Sequence, residues 1–264
     1  MPGVQHEPAS AYVSRSALAG RTICVGQTEL IWTERPEFGV VMEPVGPIER
    51  DFLHEDLLST KHREQFYSWV DHFGFVLCRN LQSTHETYRF VRGRSSPGKL
   101  SPGEYSHHDG CSGPVKPRIV EIRFPYQTVE RRIATAIAPF PEIVSAMFAC
   151  LPEDMRADIL PPNGSQPFRE SERTQAMIMR AARRQFSAVD AREYLRAVDL
   201  HVKSYVHRWQ WGDSLFVANS NAQKTFQHRR AYVEPAFNGQ PSGNLVKRWP
   251  AEELEGIPVS CAVE

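Results

Sequence analysis

Glu104-Tyr105-Ser106-His107-His108-Asp109-Gly110 is the stretch around which the rest of the chain is organised. In an extended strand, residues two apart face the same way, so His107 and Asp109 can aim at one point while His108 turns to the other side. Two histidines and one carboxylate on a single face, with positions left open, form the usual protein site for non-haem Fe(II). This stretch supplies two of those three ligands. The third has to come from a distant strand that returns beside the first. After residue 200 the histidines are His201, His207 and His228. His201 falls on a predicted helix, and His207 precedes the turn Trp209-Gln210-Trp211-Gly212-Asp213. His228 follows the apolar run Leu215-Phe216-Val217 and is the expected third ligand, with His207 as the alternative.

Working outward, short β-type runs at 22–25, 29–32 and 39–43 are punctuated by Pro and Gly. A helix follows, cappable by Ser59 or Thr60, with Phe66, Trp69, Val70 and Phe73 on one face. Gly74 can end it, because glycine tolerates the left-handed conformation at a helix C-terminus. Phe75-Val76-Leu77-Cys78 then reads as a strand. Residues 92–104, rich in Gly, Ser, Pro and charge, form a loop that feeds into His107, and loops leading into rigid strands are where binding residues concentrate. Beyond Pro117, Val120, Ile122 and Phe124 alternate with Glu121 and Arg123, a strand pattern.

Residues 128–160 read as helical, with Phe140, Ile143, Val144, Met147 and Leu151 sharing a face, and 161–167 as a loop. The stretch 174–180 reads as a strand carrying Met177 and Met179. Ser187 opens a helix with Asp190 three residues on as a capping-box variant, and its stripe is Ala191, Leu195, Val198, Val202 and Tyr205. A Pro/Gly/Asn loop at 234–243 precedes a last strand at 244–249. With no repeat and no sharp linker, residues 1–20 are expected to be a flexible tail and 21–264 one domain.

Lys plus Arg and Asp plus Glu balance at 31 each in 264 residues, so no global field points to nucleic acid or an anionic membrane. No apolar run approaches bilayer length. Five dispersed cysteines, odd in number and without Cys-x-x-Cys, suit reduced thiols in a cytoplasmic protein rather than a zinc ribbon. Arg169, Arg173, Arg180, Arg183 and Arg184 form a basic cluster without interleaved aromatics, which reads as a solvated surface or a greeting for an anionic substrate group, not as a nucleic-acid face.

Taken in order, these elements resemble the Fe(II)/2-oxoglutarate-dependent oxygenases of the taurine dioxygenase-like group, with compact members such as carbapenem synthase. The resemblance covers most of 38–249. Phe38-Gly39-Val40 is similar to the opening strand of that group. His72-Phe73-Gly74-Phe75-Val76-Leu77 resembles its helix-to-strand step, and His107-His108-Asp109 its His-x-Asp pair. Trp209 to Asp213 with the following Ser214-Leu215-Phe216 resembles its Trp-x-x-Gly-Asp turn, and His228-Arg229-Arg230 its distal His-x-Arg. Where the group has Asp-Asn after the apolar strand, this chain has Ala218-Asn219, and His228 comes late, which calls for an enlarged turn.

What the resemblance implies is an α+β protein with a double-stranded β-helix (jelly-roll) core and flanking helices. It also implies Fe(II), 2-oxoglutarate as co-substrate and O2, with His107, Asp109 and His228 as metal ligands and catalytic centre. The distal carboxylate of 2-oxoglutarate needs a fixed arginine, which suits a planar bidentate partner. Arg248 on the last strand is the first choice and Arg230 the competitor. Arg118 and Arg123 either reach an anionic substrate or serve a structural ion pair. The expected substrate is a small molecule, oxidised at an unactivated C–H bond by hydroxylation, desaturation, epimerisation or cyclisation, in specialised biosynthesis. Asp109 argues against halogenation, because a halide needs the carboxylate's place. Two rival readings use the same residues: a jelly-roll binding protein without iron chemistry, and a zinc-dependent hydrolase. The sequence is silent on substrate identity and oligomeric state.

Overall fold

A computed structural model describes residues 20–35, 38–46, 57, 62–80, 88–90, 106–108, 117–123, 133–160, 168–210, 212–220, 225–232 and 246–250. Expectations for residues 1–19, Ser59, Thr60, 92–104, Asp109, Phe124, 128–132, 161–167, Trp211 and 234–245 lie outside them. The described chain is a mixed α and β structure built on two sheets. The larger sheet has the order β1-β2-β3-β4-β9-β6-β11-β5. Its strands are β1 (Arg21–Val25), β2 (Thr28–Arg35), β3 (Phe38–Pro44), β4 (Phe75–Cys78), β5 (Tyr88–Phe90), β6 (Ile119–Arg123), β9 (Ser214–Ala218) and β11 (Val246–Pro250). The smaller sheet has the order β10-β7-β8, from β7 (Ile133–Pro139), β8 (Tyr205–Arg208) and β10 (Phe226–Tyr232).

Strand alternation sorts the larger sheet's side chains into two cores. Val41, Phe75, Leu77, Val120, Ile122, Leu215 and Val217 pack with Ile137, Trp209 and Phe226 between the sheets. Their neighbours Val40, Met42, Val76, Cys78, Ile119, Phe216 and Ala218 form the opposite face, covered by α1 (Arg63–Phe73) through Phe66, Tyr67 and Val70. Both faces of the central strands are buried, so they read as near-continuous apolar runs. Phe66 meets Phe216 edge-on, ring centroids 4.8 Å apart, an arrangement that adds about 0.5–1.5 kcal/mol beyond the area buried.

On the far side of the smaller sheet, α2 (Phe140–Ala149), α3 (Glu153–Ile159), α4 (Glu172–Gln185) and α5 (Ala188–His201) share a third core that includes Ala138. The capping box at the start of α5 is present in both directions, Ser187 with Asp190. Its hydrogen bonds hold the Asp190 carboxyl below its usual value. No helix among the described residues is long and apolar enough to cross a membrane.

Three expectations are corrected. Residues 133–139, expected to be helical, are β7, paired along their whole length with β10. Residues 174–180, expected to be a strand, lie within α4, where the Ser171 hydroxyl caps the helix by accepting from the Thr174 N–H and Ile178, Met179 and Ala182 form the buried face. Tyr205 does not extend the α5 stripe. The chain turns extended at Val202 (φ −106°, ψ 124°), and Tyr205 stacks on Phe75 from β8.

The step from α1 to β4 turns on Gly74, whose φ is +85°. Its N–H closes the helix onto the Val70 carbonyl, and its own carbonyl accepts from Ala218 of β9. A Cβ here would run into the Phe226 ring. Gly74→Ala therefore combines a disfavoured backbone with overpacking, and it is expected to lower the free energy of unfolding by about 2–4 kcal/mol in urea titration. An unchanged midpoint would mean that the ring has room to move.

Candidate metal centre

His228 lies in the middle of β10, opposite Ile137 of β7, and is buried. Inward and outward positions alternate along β10. Phe226 is in the core between the sheets, whereas Gln227 reaches Gln175 on α4. His228 shares the parity of Phe226. His107 forms an isolated antiparallel bridge with it, the His107 N–H donating to the His228 carbonyl at 3.1 Å and the His228 N–H to the His107 carbonyl at 3.2 Å. The two imidazole centroids are 4.8 Å apart with planes at 52°. Two nitrogens bound to one first-row ion at about 2.1 Å each lie within about 4 Å of one another, and rings at this spacing can present nitrogens that close.

His108 turns the other way, as the two-residue period requires. It is buried against Phe140 of α2, ring centroids 5.0 Å apart, and its Nδ1 is 3.4 Å from both the Gln227 amide nitrogen and the Glu172 carboxylate. The structure thus brings His107 and His228 together and separates His108 from them. Asp109 lies outside the described residues. Among the described residues no three or more His, Cys, Asp or Glu gather as a metal-binding group. The two imidazoles are a donor set suited to Fe(II) or Zn(II), and one carboxylate from the residue two past His107 would complete the facial arrangement.

The alternative ligand, His207, is engaged elsewhere. It sits on β8 opposite Thr135, with β7 between it and β10. Its Nε2 is 3.0 Å from Asp213 Oδ2. That buried carboxylate also accepts the Gln210 N–H on Oδ2 and the Asn80 N–H on Oδ1, each at 3.1 Å. Trp209 Nε1 donates to Thr135 Oγ1 at 2.8 Å beside it. Sequence reasoning treated the Gly212-Asp213 turn as a family marker only. Its burial and its partners make it the joint between β8 and β9, after Gly212 at φ +84°, and because Asn80 is far away in sequence no local signal could have found that role. His201 ends α5 in an exposed position, with Nδ1 2.8 Å from the Ala197 carbonyl.

Of the four arginines singled out, Arg118 is held by Asp71 on α1, the structural pairing that was one of its two expected roles. The side chains of Arg123, Arg230 and Arg248 lie outside the described ones. By backbone register, Arg230 stands opposite Thr135, and Arg248 opposite Glu121.

No protein-family model matches the chain, and no curated protein does. Among solved structures, the chain is similar to AAD-2, crystallised with Mn(II) and N-oxalylglycine: 14% identity, 83% of this chain and 96% of that one, TM-score 0.45. It is similar to a taurine dioxygenase from Burkholderia xenovorans at 12% identity, over 92% and 98% of the two chains, TM-score 0.38. It is also similar to PvcB from Pseudomonas aeruginosa at 13% identity, over 91% and 93%, TM-score 0.42. A second similar structure, at 12% identity and TM-score 0.37, is of PvcB as an Fe, α-ketoglutarate-dependent oxygenase from an isonitrile synthetic pathway.

Leaving a backbone donor without its acceptor costs about 1–3 kcal/mol where it is buried, and loss of the Asp213 carboxylate strands two, the N–H groups of Asn80 and Gln210. Asp213→Ala should lose stability on that scale in denaturant unfolding, while His107→Ala, on a half-buried bridge, should lose under about 1 kcal/mol. The reverse ranking would mean that Asp213 is not the joint and that His107 is structural.

Proposed function

We propose that this protein is an Fe(II)- and 2-oxoglutarate-dependent oxygenase that oxidises an unactivated C–H bond of a small molecule, with O2 as co-substrate. The two sheets would then be the halves of a double-stranded β-helix. The observation that carries the reading is the His107–His228 bridge. Two histidines from opposite halves of the chain, singled out as ligands from sequence, stand on facing backbone with their rings adjacent.

On this reading His107, Asp109 and His228 hold the metal through two imidazoles and one carboxylate. When bound, Fe(II) with 2-oxoglutarate supplies the oxidation, and the co-substrate leaves as succinate and CO2. The chain's own part is to bind, orient and exclude water. Ile137, opposite His228, and Phe226, two residues before it, belong to the apolar core between the sheets, and a dry setting strengthens any charged contact made there. The proposed setting is specialised biosynthesis in the cytoplasm; the free thiols of Cys24, Cys78 and Cys150, among the described residues, agree with the compartment alone.

The distal carboxylate of 2-oxoglutarate needs Arg230 or Arg248. Residues directly opposite on antiparallel strands occupy the same face of a sheet. Thr135, opposite Arg230, meets Trp209 between the sheets. Glu121, opposite Arg248, meets Ser214 on the face that α1 covers, in alternation with Val120 and Ile122. Register therefore favours position 230, and Arg230 becomes the preferred clamp.

Anaerobic addition of Fe(II) and 2-oxoglutarate should produce a visible charge-transfer band, and exposure to air should release succinate. Absence of the band would support the binding-protein reading, and Zn(II)-dependent hydrolysis without succinate the hydrolase. His107→Ala, Asp109→Ala and His228→Ala should each abolish iron retention while leaving the protein folded. Arg230→Ala should raise the apparent KM for 2-oxoglutarate at least about tenfold, since an unpaired buried carboxylate costs on the order of 2–5 kcal/mol. A rise confined to Arg248→Ala would move the clamp to the last strand.

A further inference from the structure

We propose that Gln175 on α4 is a positioning residue for the His107–His228 pair, acting through Gln227 and His108 from the opposite face of the smaller sheet. This rests on the metal-site reading of that pair. Gln227 adjoins His228 in the chain, and His108 adjoins His107. Both turn away from the site and both are buried. Gln175 and Gln227 form a reciprocal amide pair, each Nε2 donating to the other's Oε1 at 2.8 Å. The same Gln227 nitrogen lies 3.4 Å from His108 Nδ1. One amide couple thus ties together, on the outer face, the two backbone segments that carry the histidines on the inner face.

The geometry gives this clasp a job. The His107 segment is held to β10 by an isolated bridge rather than by a ladder. A side-chain tie beside it fixes the twist of that bridge and hence the angle between the two rings. The tie is anchored on a rigid support, because α4 is packed into the helical core through Ile178, Met179 and Ala182. Gln227 has no solvent to turn to, so loss of Gln175 leaves its amide to seek other partners by moving the strand. Outer partners that orient metal ligands typically matter by about 10–100-fold in metal affinity.

The test compares wild type with Gln175→Leu, which keeps the bulk and removes the amide. In metal-free protein, hydrogen exchange read by NMR should speed at the His107 and His228 amides by about tenfold or more relative to those of Leu77 and Val217. Titration with Co(II), read by its absorption spectrum, should weaken about 10–100-fold. Gln175→Glu, which still offers an acceptor to the Gln227 amide, should recover part of both. Unchanged exchange and unchanged Co(II) affinity overturn the proposal. Acceleration spread evenly over the sheets also overturns it, since that is general loss of stability. If wild type itself takes up no Co(II), the metal-site reading falls and this proposal with it. If wild type binds and the variant binds equally well, only this proposal falls. Should Gln175→Leu fail to fold, Gln175→Asn shortens the reach of the amide and carries the same measurements.

Discussion

A buried carboxylate at the crossing from one sheet to the other is the constraint on which the rest of the structure depends. Asp213 accepts backbone N–H groups from Asn80, at the end of β4, and from Gln210, in the turn before it, and meets His207 on β8. Taking a carboxylate out of water costs several kcal/mol, which is offset only where its lone pairs are filled. Here they accept from two segments, the chain after β4 at Asn80 and the turn at Gln210, so burial of the charge requires both to be in place. The crossing strand β9 starts in the residue after Asp213 and runs up the middle of the larger sheet between β4 and β6.

Above it, the two-residue period of a strand divides the work of each segment between two faces. Along 107–108 and along 227–228, one residue turns toward the neighbouring imidazole and the next toward α4. Adjacent residues therefore serve opposite ends: one can hold a ligand while its neighbour is held by the scaffold. Helical scaffolding on the outside of the smaller sheet is not decoration on this arrangement. Without a partner from α4, Gln227 would be a buried amide in the middle of a strand, and a leucine would be the better residue there.

Much of this was legible in the sequence, for identifiable reasons. The alternation at 119–123, the apolar run at 214–218, the glycine stop at Gly74 and the Ser187–Asp190 box are local signals, and local physics decides them. His107 with His228 was legible because only a few histidines lie late enough in the chain to return to the first. The errors came where tertiary pairing overrides propensity. Ile133–Pro139 is rich in alanine, the best helix former, yet it is a strand because β10 and β8 pair on its two sides, with Ala138 packed in the helical core. In 174–180 the alternation of Met177 and Met179 imitates a strand, while the deciding residues, Ser171 as cap and Ile178 with Ala182 as buried face, are spaced for a helix. Tyr205 fits the α5 periodicity by coincidence: its ring is claimed by Phe75 across the sheets. Asp213 was noticed as a motif letter, but its role depends on Asn80, far away in sequence, and no local pattern announces that.

The two halves of the candidate centre are not held equally. His228 belongs to a strand paired with β7 at every position from Phe226 to Tyr232, and it takes its rigidity from the whole smaller sheet. His107 is held by a reciprocal pair of backbone hydrogen bonds and by what His108 finds on the other face. Segments with few ladder bonds open at lower free energy than the sheets beside them. A metal ion held by both imidazoles would act as one more clasp on the weaker side, so its binding free energy would go partly into fixing the His107 segment. The stiffer that segment is beforehand, the less of the binding energy is spent in this way, which is why the amide couple on the outer face bears on affinity at a site it never touches.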